Sequence, residues 1–293
     1  MFNTNELQDK IGYERWLLKD CTTRLEYFLG IPSSKTITFK LSGTRMHHLF
    51  FKDSFGQQDA QKVIENLSPL IFVTTYKCLD MIFEWILENN FTEVPYQFTS
   101  KIKTLKQNKH AINLPNELKQ NMDLYNTYLK IYDKLKTYRN SIIHGNWGDN
   151  INGNLSFNFT LNNKTYEKNI IFKEVINLAE SVLLLTELLI NKKNIEYTVT
   201  TMKFLLDNLT NIHLSPKFNV KSPLIFKVIY EIGDTTKINL DEIRDYLKEQ
   251  SFNHPFYFSL ILMSETQKWD IPSKYLQNQK EICIDSSIQK FKI

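Results

Sequence analysis

Apolar residues recur three and four positions apart through most of the first 210 residues, the spacing that collects side chains on one face of an α-helix. Trp16, Leu17, Leu25 and Phe28 predict a helix over residues 13–29. The stretch "DAQKVIENLSPLIFVTTYKCLDMIFEWILE", residues 59–88, predicts a long core helix interrupted or kinked near Pro69. "VPYQFTSKIKTLKQ" predicts a turn into a short basic helix with Ser100 as its N-cap, followed by a loop around Pro115. Leu124, Tyr128, Ile131, Leu135, Tyr138 and Ile142 form the buried stripe of a helix over roughly residues 118–144, with Gly145 placed to end it in a left-handed C-cap. A strongly apolar helix is expected over residues 173–191 and another over 196–209.

A period of two appears in fewer places. "KTITFKLS" predicts a strand in which Ile37, Phe39 and Leu41 share a face, and "NLSFNFTL-NN-KTYEKNIIF" predicts a β-hairpin turning at Asn162 and Asn163. Beyond Pro216 the chain reads as a separate small module: helix "SPLIFKVIYEIG", helix "NLDEIRDYLKEQS", helix "HPFYFSLILMSETQKW" and a strand-like tail "ICIDSSIQKFKI". The expected fold is mainly α. It comprises an α/β extension over residues 1–56, a helical bundle with a small β-hairpin insertion over 57–210, and a small C-terminal α(+β) module over 211–293. That module weakly resembles a winged helix-turn-helix, but its would-be recognition helix is too apolar for a DNA groove, so packing or sensing suits it better. Phe256, Tyr257 and Phe258 read as core rather than as a base-stacking platform.

Composition changes this picture little. With 36 Lys and Arg against 32 Asp and Glu, the net charge of +4 permits a polyanionic partner without demanding one. The excess is local: residues 101–139 hold eight lysines and one arginine against Glu117, Asp123 and Asp133. Lys101, Lys103, Lys106 and Lys136 are the candidates for a phosphate-backbone contact, the alternative being a solvated helix face. The three cysteines, Cys21, Cys78 and Cys283, lack metal-cage or disulfide spacing, which suits a reducing compartment. The N-terminus has no signal pattern, and the longest apolar run, "VLLLTELLI", falls far short of the ~20 residues that span a bilayer, so a cytoplasmic protein with no membrane partner is expected. His47 and His48 point to different sides of any regular element and have no third ligand nearby, while His110, His213 and His254 are isolated; no metal is expected. No Gly-rich phosphate loop, catalytic carboxylate pair or Ser-His arrangement is present, so no cofactor is expected either.

The chemistry concentrates in "YRNSIIHGNW", residues 138–147. Arg139 and His144 lie about 140° and about 7.5 Å apart on one helix, too divergent for a self-contained pair. Asn140 and His144 are four apart, where the amide could orient the imidazole. The arginine, polar residue, three further positions and histidine near a helix end resemble the Rx4-6H motif of the HEPN superfamily. Asp80 and Glu84 on the preceding core helix, and "FTSKI" within "PYQFTSKIKTL", resemble the context of that motif, and the likeness extends over about residues 59–209.

The resemblance implies metal-independent RNA cleavage in a composite site formed by two protomers, of the kind deployed as a toxin or antiphage effector. The ribose 2′-OH would attack the neighbouring phosphorus and leave 2′,3′-cyclic phosphate and 5′-OH ends. His144 suits proton transfer near working pH. Arg139 suits the phosphate, since a guanidinium stays charged and donates two parallel hydrogen bonds. Asn140 would orient, and Asp80 and Glu84 would serve structure or positioning, including a possible ion pair with Arg139. Expected partners are RNA, a second copy of the chain, and an antitoxin or defence-system protein. Some members of the superfamily are non-catalytic binding modules, so a dimerisation or RNA-binding module is the competing reading, and a DNA-binding regulator acting through the C-terminal module is the other alternative. A subset of HEPN toxins carries a tyrosine two residues after the histidine that a partner enzyme modifies; Asn146 stands there, so that control is not expected.

Overall fold

The computed structural model describes residues 2–29, 36–38, 62, 65–108, 111–145, 148–161, 164–191, 195–212, 217–232, 237–252, 254–264, 266–276 and 279–293. In chain order they form α1 (Thr4–Leu29), β1 (Thr36–Thr38), α2 (Ser68–Glu88), α3 (Phe98–Gln107), α4 (Asn116–Lys119), α5 (Met122–Ile143), β2 (Asn150–Ile151), β3 (Asn154–Leu161), β4 (Lys164–Ile170), α6 (Phe172–Asn191), α7 (Ile195–Asp207), β5 (Leu224–Glu231), β6 (Lys237–Asn239), α8 (Leu240–Gln250), β7 (Phe256–Met263), β8 (Lys268–Ile271), α9 (Ser273–Leu276), β9 (Glu281–Cys283) and a 3₁₀ turn (Ser286–Phe291). The protein is mainly α. His47, His48, His110, Asn146, His213 and the Asn162–Asn163 turn lie outside the described residues.

The chain divides into two units, residues Met1–Ile31 with Lys52–Val220, and Pro32–Phe51 with Lys221–Ile293. This corrects the expected boundaries. The N-terminal 56 residues are not a separate extension. Leu7, Ile11 and Leu18 of α1 are fully buried in the bundle core, while the short strand β1 pairs in parallel with β5 of the other unit.

In the helical unit α1 packs on α2 and α6, α2 on α5 and α6, and α6 on α7. The α5 stripe is buried as the spacing predicts: Leu124, Tyr128, Ile131, Leu135 and Tyr138 all enter the core, and Ile142 packs against it. The expected interruption falls at Leu67, so Pro69 sits in the first turn of α2, where its missing N–H removes no helical hydrogen bond. Helix α3 starts three residues earlier than expected, with Gln97 rather than Ser100 at its N-cap.

The hairpin β3–β4 forms with the predicted strands, and β2 adds a third through a two-residue turn. Asn152 and Gly153 have φ of +52° and +78°, the left-handed pair that a tight type I′ hairpin requires. The turn is docked on α2, where Ser68 Oγ donates to the Gly153 carbonyl at 2.7 Å. Phe157 of β3 is fully buried, and its ring meets Tyr138 of α5 edge-on at 4.9 Å. The sheet therefore clamps the last turn of α5 from one side.

The second unit differs most from expectation. The two apolar stretches read as helices are strands β5 and β7, and the would-be recognition helix is β7 followed by β8. They lie in a four-stranded sheet of order β1-β5-β7-β8, with the first three parallel and β8 antiparallel. Mostly apolar stretches of about eight residues, broken only by Lys227, Glu231 and Ser259, carry neither period clearly and suit a strand as well as a buried helix. Only α8 keeps its predicted helical state, capped by the Asn239 side chain on the Asp241 N–H. Phe226, Leu260, Leu262, Trp269 and Ile271 build the core on one face with Leu240 and Leu247. Among the described residues of this unit no winged helix-turn-helix is formed, since strands stand where two of its helices were expected.

Two glycines predict opposite stability effects. A Cβ at Gly153 would come within 2.6 Å of the Phe172 ring on a left-handed backbone, so Gly153→Ala should destabilise by at least about 2 kcal/mol. Gly12 lies inside α1 with open space at its Cβ, so Gly12→Ala should stabilise by about 0.5–1 kcal/mol. Urea titrations should place the two midpoints on opposite sides of the wild type with unchanged slopes.

Candidate functional site

The ion cluster that α2, α3 and α5 share sets the site. On α2, Tyr76, Asp80, Glu84 and Glu88 follow one another at four-residue spacing and so share a face. The Lys101 ammonium from α3 is 4% exposed and donates to Asp80 at 3.0 and 3.2 Å and to Glu84. Tyr132 of α5 donates its hydroxyl to Asp80, and Tyr76 donates to the Tyr132 carbonyl at 3.1 Å. Lys10 of α1 reaches Glu84 and Glu88, both at 2.6 Å.

The cluster fixes charge states as well as geometry. Burial, assisted by the Asp80 charge, pushes the Tyr132 hydroxyl far above the ordinary phenol range, so it remains a donor. For Glu84, burial acts to raise the pKa, but the hydrogen bonds and charges of Lys10 and Lys101 together outweigh it and hold the carboxyl below its ordinary range. Asp133 is likewise held low against burial by Lys106 and Lys136.

Arg139 projects from α5 beside this cluster without joining it. Its guanidinium lies over the Phe98 ring at 5.0 Å, and Nη1 donates to the Asn140 side-chain oxygen at 3.0 Å. Its Nε is buried with no hydrogen-bond partner. The anticipated ion pair with Asp80 or Glu84 is absent from the described residues, because Lys101 holds both carboxylates. Arg139 is therefore left as a half-buried cation with no ion pair among the described residues.

His144 stands apart from that group. It is the exposed C-cap of α5, its N–H bonded to the Asn140 carbonyl at 3.0 Å, and Gly145 follows with φ +70° as the stop signal predicts. Asn140 does not orient His144, since its side-chain oxygen is turned to Arg139 and no side-chain bond to the imidazole occurs among the described residues. Asn140 orients the guanidinium instead.

Between the loop before α3 and the C-terminal half of α5 lies a cleft of about 550 Å³. Arg139, Asn140 and Lys136 line it from α5, and Tyr96, Phe98, Thr99 and Lys101 from the α3 side. His144 does not. A single chain thus brings Arg139 and Asn140 to one surface and leaves the histidine on another.

The four lysines expected to meet RNA separate into different roles. Lys101 is a correction: its ammonium is neutralised inside the bundle and cannot serve as a backbone contact. Its position on the same helical face as Phe98, Ile102 and Leu105 was the available sign that it points inward. Lys106 and Lys136 both pair with Asp133, while Lys103 is exposed. Phe98 was marked in the sequence only as the first residue of the FTSKI segment, Tyr96 and Tyr132 were not singled out, and nothing in the local pattern marks Tyr96. A second cleft of about 640 Å³ lies by Lys106, Lys130 and Phe218. Among the described residues no group of three or more acidic, histidine or cysteine side chains could hold a metal, and no helix is long and apolar enough to cross a membrane.

Comparison with known proteins finds no matching family model, no matching curated protein and no matching solved structure.

Removing the buried ammonium should be costly, because Asp80 would lose its ammonium partner and Glu84 one of its two. Lys101→Met should destabilise by about 3–5 kcal/mol at pH 7. Glu84 has a depressed folded pKa, so its stabilisation is complete above the ordinary value of 4.5 and lost as pH falls through the lower folded value. Chemical denaturation of wild type and Lys101→Met from pH 7 down to about 3 should show the gap between them narrowing.

Proposed function

We propose that this chain is a HEPN-type endoribonuclease that cuts RNA without a metal ion. The observation that carries the reading is the Arg139 guanidinium, held over Phe98 and steadied by Asn140 in an open cleft, with no ion-pair partner among the described residues because the two carboxylates that also line the cleft, Asp80 and Glu84, are taken by Lys101. Such a cation attracts a phosphate more strongly than one already paired, because the phosphate displaces no carboxylate.

The reaction requires three functions. A base takes the proton from the ribose 2′-OH as that oxygen forms its bond to phosphorus. Positive charge stabilises the phosphorane, and an acid protonates the 5′-oxygen as the P–O5′ bond breaks. Arg139 would supply the charge and His144 would transfer protons, giving 2′,3′-cyclic phosphate and 5′-OH ends. The separation of Arg139 from His144 within one chain favours a homodimer in which each protomer's His144 meets the other's Arg139. In the cell such an activity fits a toxin or antiphage effector restrained by a partner protein.

The second reading is a non-catalytic bundle that holds RNA. The placement of His144 outside the Arg139 cleft favours it. Incubation of the purified chain with single-stranded RNA in EDTA separates the two. The ribonuclease reading expects 5′-OH products, a rate loss of about 10²–10⁴-fold in His144→Ala, and a comparable loss in Arg139→Ala. Equal cutting by His144→Ala would remove that residue from the mechanism, and RNA retention without cleavage by wild type would establish the binding module.

A further inference from the structure

We propose that the cleft beside Arg139 seats a single unpaired nucleotide, with its phosphate on Arg139 and its base stacked on Tyr96. The proposal deepens the reading of RNA as the ligand and rests on it for the polymer, though not for the chemistry of the seat itself.

Tyr96 is the first observation. Its side chain is 96% exposed, the highest exposure among the large apolar side chains described, yet it lines the same cleft as Arg139 and Asn140. A tyrosine normally buries much of its ring on folding, so a fully solvated one on an ordered surface leaves a π-face available. Its loop is tethered rather than free. Asn90 donates to the Ile86 and Asn113 carbonyls at 2.7 and 2.9 Å and accepts the Asn113 N–H at 2.7 Å, pinning the chain that leads from α2 towards Tyr96.

The same cleft carries an unpaired cation. Each other charged side chain lining the cleft has a counter-charge: Asp80 and Glu84 share Lys101, and Lys136 pairs with Asp133. Arg139 alone among them has none within the described residues, and its buried Nε lacks a partner. The ten-residue helix α3 begins at the cleft, and Gln97 makes no side-chain capping bond, so its first N–H groups add positive potential there. A volume of about 550 Å³ accommodates one nucleotide and not a duplex.

An exposed aromatic face and an unpaired cation lining one cleft match a base and its phosphate, whereas a bare anion would leave Tyr96 unused. Stacking accepts any base because every base has a π-face. The seat therefore selects for single-stranded over paired RNA rather than for sequence.

The test uses the full-length chain titrated calorimetrically with 5′-AMP, ribose 5-phosphate and inorganic phosphate. Wild type should bind 5′-AMP at least about fivefold more tightly than ribose 5-phosphate. Tyr96→Ala should abolish that difference, Tyr96→Phe should keep it, and Arg139→Ala should weaken both sugar phosphates. Because Tyr96 is almost wholly solvated, its variants are expected to fold, which circular dichroism would verify. Equal affinity for the two sugar phosphates in wild type, an unchanged preference in Tyr96→Ala, or no 5′-AMP binding at millimolar concentration would each overturn the proposal. Single-stranded RNA cleavage keeps the two readings distinct. Cutting with an unchanged KM in Tyr96→Ala removes the seat and leaves the ribonuclease, whereas Tyr96-dependent nucleotide binding without any cutting does the reverse.

Discussion

A lysine ammonium carried into a protein interior loses its hydration, an effective penalty of several kcal/mol, and it stays charged only where acceptors replace the water. Lys101 meets that condition with Asp80 and Glu84, and the remaining capacity of those carboxylates is taken by Tyr132 and Lys10. Four helices, α1, α2, α3 and α5, are thereby joined through one polar cluster. A bundle held by apolar contacts alone can slide by a fraction of a turn at little cost, whereas this cluster accepts one register. Its second effect is on Arg139. With Asp80 and Glu84 occupied, the guanidinium lies over Phe98, donates to Asn140 and forms no ion pair among the described residues.

Aromatic packing carries that register to the cleft. Tyr76 and Tyr132 stack at 5.2 Å, Phe83 lies 5.0 Å from Tyr132, and Phe98 meets Tyr76 edge-on at 5.5 Å before receiving Arg139 on its face. Each ring restricts the next, so the guanidinium rests on a platform whose position is set within the core. From the other side Phe157 of the hairpin fixes Tyr138, the residue immediately before Arg139. The end of α5 is therefore rigid up to Ile142, while His144 lies beyond the last packed turn.

The helices with a clear apolar stripe could be read from the chain, α5 best of all, since an uninterrupted three-and-four spacing admits one state over six turns. Gly145 as the helix stop was legible for the same local reason: a left-handed backbone favours glycine. The strands β5 and β7 were not, because mostly apolar stretches broken only by Lys227, Glu231 and Ser259 show no clear period and their state is decided by parallel partners distant in sequence. The candidate site was legible in its residue types and not in their pairing. Composition places Lys101 and Arg139 in the same class, and only the packing of α3 against α2 determines which of them takes the carboxylates.

Strand β1 has an implication for synthesis. Residues 36–38 pair with Ile225, Phe226 and Lys227, almost two hundred positions later, while the segment between them contains nearly all of the helical unit. On the ribosome the α-helical core can close as soon as α7 has emerged, but the parallel sheet must wait for β5 and then β7. An early-made segment must stay unpaired until a late-made one arrives, and the loop it closes is long. Truncation before residue 224 thus leaves a helical unit able to bury its own core together with an edge-forming strand that has lost its mate, a product more prone to associate than the finished chain.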